Sequence, residues 1–270
     1  MSQSTAHQAH QSDLVDRIAG VGLVAYGVVH LLIGWLAVTL AVGDRQGGAS
    51  STGAVKQLAQ QPYGEALVWL IAVGMILLVV WRLIEAALGY RDKDGAERTL
   101  RRLLSVGNAA VNSTIAYSAV DVATGSPQKG GSGGGTDSMT ATLMNRPGGQ
   151  FLVGAVGVGI VAVGVAHLVT AWRESYLKKL DGEGRSGSSG TAFRWLARTG
   201  YVAKGLALGV VGVLFLSAAV THQAKKSGGL DQALRTVLDQ PFGPVLLAGI
   251  GLGFAAYGLF CFVQARHLDR

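Results

Sequence analysis

The chain has 270 residues, of which 49% are apolar, 14% are charged and 40 are glycine, with a net charge of +7. A water-soluble domain carries about 25% charged residues, so an ordinary soluble globule is excluded. The apolar fraction excludes a disordered chain, and a single cysteine, Cys261, excludes a disulfide scaffold.

Residues 1–13 are polar and are expected to be disordered. No basic leader precedes the first apolar stretch and no Ala-x-Ala site follows it, so that stretch reads as a retained helix. Six stretches reach the roughly 20 helical residues that cross a hydrocarbon core about 30 Å thick. They run about Ile18–Val42, Ala66–Leu88, Leu103–Val120, Phe151–Trp172, Thr199–Val220 and Val245–Phe262. The third is the shortest and most polar. Apolar residues surround each helix instead of forming one stripe, as lipid requires. The spacing predicts an all-α membrane protein of six transmembrane helices. Gly205 with Gly209, and Gly249 with Gly253, suit close helix packing.

Short-loop cations set orientation in a membrane. Fourteen Lys and Arg flank the spans on the side of both chain ends, and seven lie on the opposite side. This bias predicts a multi-pass protein of the cytoplasmic membrane with both termini in the cytoplasm.

The outward loops repeat themselves. Gln61-Pro62-Tyr63-Gly64, Arg146-Pro147-Gly148-Gly149 and Gln240-Pro241-Phe242-Gly243 each stand before an even-numbered span, and Gly74, Gly159 and Gly253 follow each Pro by twelve residues. Gly22, Gly107 and Gly200 mark the odd spans. Their offsets, 85 and 93, nearly match the 85 and 94 of the Pro motif. The chain therefore reads as three copies of a two-helix hairpin, over residues 14–92, 98–183 and 194–270. Pro suits a helix start and ends what precedes it. Gly53–Gln60, Ser138–Asn145 and Asp231–Asp239 are expected to be short interfacial helices on the outer face, or to pack on the other repeats. Gly47–Gly53 and Gly130–Gly135 read as flexible linkers. All copies enter the membrane in the same direction, and no span has an interior Pro. The inverted, broken-helix arrangement usual for alternating-access transport is absent from the pattern.

This architecture, with its Pro-x-Gly motif at Pro62-Gly64, Pro147-Gly149 and Pro241-Gly243, resembles a bacterial integral membrane family of unknown function. That family is defined by a transmembrane helix pair occurring three times. The resemblance implies a six-helix membrane protein and brings no catalytic residues.

Ionisable residues at membrane depth are functional candidates by default. Arg82 and Glu85 are three apart on one helix face and able to pair. His167 with Thr170, and Cys261 with Gln264, fall in the same repeat columns. His30, Asn108, Asn112 and Lys204 complete the set. At 1.5 Å per residue, Lys204 and Asn108 lie roughly 9 Å from the inner ends of their helices, so most of these groups share one inner-leaflet layer. Lys204 and Arg82 can snorkel to headgroups, and Asn108 and Asn112 can bridge helices. Alternatively the layer binds an anionic lipid or small molecule, or transports a substrate. No catalytic, metal or phosphate-loop motif occurs in a supporting context, so no enzyme activity, cofactor or metal is expected. The expected partners are membrane lipids, anionic headgroups among them, and other membrane proteins, with no nucleic acid. The expected role is a non-enzymatic structural or partner-binding membrane component.

Overall fold

The computed structural model describes residues 3–43, 51–90, 94–125, 140–179 and 187–267. Among them the regular elements are helices: α1 (Gln3–Ala41), α2 (Ser51–Ala59), α3 (Gly64–Leu88), α4 (Gly95–Ala123), α5 (Gly149–Arg173), α6 (Gly187–Thr221), α7 (Leu230–Leu238) and α8 (Gly243–Arg266). Residues 140–144 are also helical, and single 3-10 turns cover Ser175–Lys179 and Ala224–Lys226.

Among the described residues five helices, α1, α3, α5, α6 and α8, are long and apolar enough to cross a membrane. The α4 helix has 29 residues but falls short in hydropathy, because Arg98, Arg101, Arg102, Asn108, Asn112 and Asp121 lie along it. Large apolar side chains stand exposed in mid-helix, Leu70 at 65%, Val158 at 59% and Leu252 at 64%. That is the reverse of what water selects.

Two local expectations are corrected. Residues 3–13 are helical, not disordered: α1 begins at Gln3. The Gln- and Ala-rich run has good helix propensity and no Gly or Pro before Gly20, so it extends the apolar helix without a new nucleation step. Residues 51–53, read as the end of a linker, form the first turn of α2. Residues 47–50 and 130–135 lie outside the described residues.

The Pro-x-Gly motif acts as a turn rather than as the first turn of a helix. Tyr63, Gly148 and Phe242 each cap the second long helix of a repeat, α3, α5 and α8, in the left-handed region, with φ of 62°, 75° and 60°. The glycine N–H closes the turn onto the residue before Pro: Gly64 N to Gln61 O at 2.8 Å, Gly149 N to Arg146 O at 2.9 Å, and Gly243 N to Gln240 O at 2.7 Å. This is the type II pattern, with Pro second and a left-handed residue third. A Cβ at Gly64, Gly149 or Gly243 would run into the carbonyl oxygen of Leu58, Leu143 or Leu238, in the last turn of the preceding short helices. Only glycine lets the chain fold back that closely. The short helices α2 and α7 bury Ala54 and Val55, and Ala233 and Leu234, against the long ones.

The long helices join in a cyclic order. The second long helix of each repeat packs on the first of the next: α3 on α4, α5 on α6, and α8 back on α1. Glycines at matching columns let the backbones touch. A methyl on Gly27 or Gly34 would sit 2.8 Å from Gly258 O or 2.6 Å from Gly251 O, and one on Gly164 or Gly212 would sit 2.9 Å from Gly205 O or 3.0 Å from Gly157 O. Repeat spacing puts Asn112 and Ala119 of α4 where α1 and α6 have these glycines, and Asn112 is buried.

Within the repeats, α1 packs on α3 and α6 on α8. Leu78 fills the notch at Gly22 and Ala25 that at Gly74; Tyr257 fills the notch at Gly200 and Ala203 that at Gly253. The second repeat differs. Its α4 and α5 barely meet, and its anchors Gly107 and Gly159 face open space, with no atom within 4 Å of a Cβ at either. The six-helix ring is open at one link.

Candidate functional site

The polar residues of the spans fall into two clusters, each built across a junction between repeats. The first surrounds Lys204. Its Nζ donates to Tyr26 Oη at 2.9 Å and lies 4.0 Å from the ring centre of Tyr257 and 5.0 Å from that of Tyr26. Only 8% of Lys204 is exposed, so the ammonium turns inward to an aromatic cage instead of snorkelling. Desolvated cation–π contacts are worth about 2 kcal/mol. The side chain of His30 packs within the same group, its ring 4.2 Å from Tyr26 and 4.9 Å from Tyr257, with Nδ1 2.8 Å from Tyr26 O. Tyr201 stacks on Tyr176 at 5.6 Å and meets Tyr257 edge-on at 5.3 Å. The cluster thereby ties α1 to α6 and α8.

The second cluster joins α3 to α4. Arg82 and Glu85 form the ion pair that their spacing predicts, Nη1 to Oε2 at 2.8 Å, and the guanidinium lies 4.3 Å from the Trp81 ring centre. Tyr90 Oη donates to Glu85 Oε1 at 2.9 Å and Ser105 Oγ to Oε2 at 3.2 Å. From α4, Arg102 Nη2 donates to the carbonyls of Ala87 and Gly89 at 3.0 and 3.4 Å, covering the orphan carbonyls at the end of α3. Tyr90 lies beyond the apolar helix. Burial raises its pKa, with the Glu85 carboxylate acting the same way and the Ser105 hydrogen bond opposing.

The remaining candidates are His167, Asn108 and Asn112. His167 faces Tyr201 at 5.6 Å and bonds the backbone of its own helix at Val163 O. Asn108 is exposed on α4. Among the described residues neither Asn108 nor Asn112 hydrogen bonds to another helix, which corrects the expectation that they bridge. Asn108 is turned out to the surface, and Asn112 occupies a column where close packing favours small residues. Tyr26, Tyr257 and Ser105 are the partners that sequence reasoning missed. The repeat register was the available signal, since Lys204 stands in Tyr26's column.

An apolar groove of about 460 Å³ lies away from both clusters, between α1, α3 and α8. Its lining, including Val21, Val28, Leu67 and Phe262, is hydrocarbon until one end reaches Arg266. Among the described residues Arg266 has no ion-pair partner.

The sequence pattern of the family described as "Domain of Unknown Function (DUF1206)" matches residues 21–89, 105–174 and 199–267, once per repeat, and the chain belongs to this family. The chain is 27% identical over 251 residues to the "Uncharacterized protein YxxB" of Bacillus subtilis (strain 168), covering 93% of this chain and 90% of that protein. No solved structure matches the chain.

Proposed function

We propose that this member of the DUF1206 family is a six-span protein of the cytoplasmic membrane with both termini inside, acting without catalysis as a structural or partner-binding component. One observation carries the reading. The cations Arg82 and Lys204 are engaged by groups of this chain at the repeat junctions, and Glu85 accepts from Arg82 of its own helix and from Ser105 of α4. A polar layer occupied in this way holds the repeats together. A transport layer needs groups left to bind and release a substrate.

Vesicles reconstituted with wild-type protein, Glu85→Ala and Lys204→Ala test the reading. The expected result is lower thermal stability of both variants in detergent and no proton or ion permeability in wild-type vesicles beyond that of empty ones. A wild-type proton flux abolished by Lys204→Ala would overturn it.

The groove beside α1 favours a second reading, lipid binding. Its stretch along α1, from Gly20 to Val28, rises about 12 Å, close to half the hydrocarbon core of about 30 Å, and Arg266 stands where a phosphate of the same leaflet would lie. This groove is separate from the inner-leaflet layer between the repeats. Retention of an anionic phospholipid through purification by wild type but not by Arg266→Gln would support it.

A further inference from the structure

The opening between α4 and α5 has an intact pair of lips. The two closed hairpins show what such lips receive. In the first repeat the Gly22 notch holds Leu78 and the Gly74 notch holds Ala25; in the third, Gly200 holds Tyr257 and Gly253 holds Ala203. By repeat register the second repeat has Gly107 and Gly159 as notches and Val163 and Ala110 as the knobs to fill them. Each lip is thus the complement of the other, yet both notches are empty.

Each lip is fastened to its other neighbour. On one side, α4 is tied to α3 through Ser105 and Arg102. On the other, α5 is locked to α6 by the interdigitated glycines Gly157, Gly164, Gly205 and Gly212 and by Gln150 Nε2 donating to Ala219 O at 2.7 Å. Both of these junctions are made while the lips stay unfilled. A second copy leaves both intact.

We infer that the open α4–α5 seam is a self-association surface, in which α4 of one copy takes the place of the missing neighbour of α5 in another, and the reverse. Such a pair is isologous, with the same patch on both copies. Its two-fold axis lies along the membrane normal, so both copies insert in one direction and the two new helix contacts are antiparallel, as in the closed hairpins. The exposed lips carry Val111, Tyr117 and Val163, so pairing buries apolar surface and closely packed small residues, the usual basis of helix association in lipid. The inference rests on the partner-binding reading above and names the partner as this chain itself.

Disulfide trapping in native membranes tests it, with Cys261→Ser as background. One chain carries Ala110→Cys, a second carries Gly159→Cys, and the two are co-expressed with different tags. Oxidation is expected to give a covalent heterodimer, because the equivalent pairs Ala25 with Gly74 and Ala203 with Gly253 are in direct contact and disulfides require Cβ atoms about 3.8 Å apart. In a single chain carrying both cysteines the link is expected between chains. A link wholly within one chain, or no link together with a monomeric mass in detergent, overturns the inference. Gly107→Leu, which fills an empty notch, is expected to weaken self-association roughly tenfold or more while leaving the thermal stability of the monomer unchanged. Equal self-association of Gly107→Leu and wild type also overturns it. A monomeric wild-type chain that still co-purifies with a different membrane protein would sink the self-pairing and leave the partner-binding reading standing.

Discussion

Tyr26 and Lys204 occupy the same column of the first and third repeats, 178 residues apart, and the lysine donates to the tyrosine hydroxyl at 2.9 Å. Two equivalent positions that touch must face one another across the inside of the ring, so this contact joins the chain's beginning to its end. Hydrogen bonds to charged groups are worth about 1.5–3 kcal/mol. Tyr26→Phe, which keeps the ring but loses the hydroxyl, is expected to destabilise by about that amount. Lys204→Met keeps the stem and removes the buried charge, and is expected to cost less than Lys204→Ala, which also leaves a cavity. A double-mutant cycle on Tyr26→Phe and Lys204→Met, read by unfolding in detergent, is expected to show coupling of about 1–3 kcal/mol. Additivity would mean that the contact contributes nothing.

Glycines of the same helices are expected to respond oppositely to one methyl group. Gly212→Ala forces a Cβ against Gly157 O and the Val161 side chain and should loosen the α5–α6 junction by about 1–3 kcal/mol, the usual range for overpacking. Gly249→Ala in α8 and Gly209→Ala in α6 meet nothing within 4 Å. There the loss of backbone freedom in the unfolded chain dominates, and a gain of roughly 0.4–1 kcal/mol is expected. Thermal shifts of the three variants in one detergent check the contrast, and a uniform loss would contradict the interface assignment.

These contrasts also mark what was legible in the sequence. Helix pairs, the repeat and the Pro-x-Gly turn are local, written in hydropathy and in residues whose backbone chemistry is restrictive. The Arg82–Glu85 pair was legible for the same reason, three positions on one helix. The partner of Lys204 was not, because a tyrosine inside an apolar run reads as packing and the contact closes over 178 residues. Nor was the open seam. Gly107 and Gly159 are the same letters as their counterparts, and what differs is the placement of whole helices, which a letter at one position does not carry.

Tyr90 gives a pH dependence of definite sign. Its folded-state pKa is raised above the ordinary 10.0, first by burial and also by the Glu85 carboxylate. A raised pKa means the folded state holds the proton more tightly, so the stabilisation is fully present below about pH 10 and is lost as pH rises through the folded value. The α3–α4 tie is therefore expected to weaken only in strong alkali. Tyrosinate absorbance of wild type minus Tyr90→Phe should reveal one late-titrating phenol, and Tyr90→Phe should flatten the alkaline part of the stability profile. An ordinary or early titration would remove Tyr90 from the buried network.

The least apolar long helix decides the topology. If α4 crosses the membrane, Glu97 at its start and Gly125 just past its end lie on opposite sides, and Glu97 shares a side with His267 beyond α8. If α4 lies along the surface, only five helices cross, and Glu97 and Gly125 share a side. The α4 helix is 29 residues long, about 43 Å at the helical rise, which exceeds the hydrocarbon thickness of about 30 Å. Its first three arginines, Arg98, Arg101 and Arg102, all lie in the first two turns or so, where a spanning helix places them at headgroup depth. Single cysteines at Glu97, Gly125 and His267 in a Cys261→Ser chain, labelled by an impermeant thiol reagent in intact cells, are expected to react at Gly125 alone. Labelling of Glu97 and Gly125 together would place α4 on one surface and remove it as a lip of the seam.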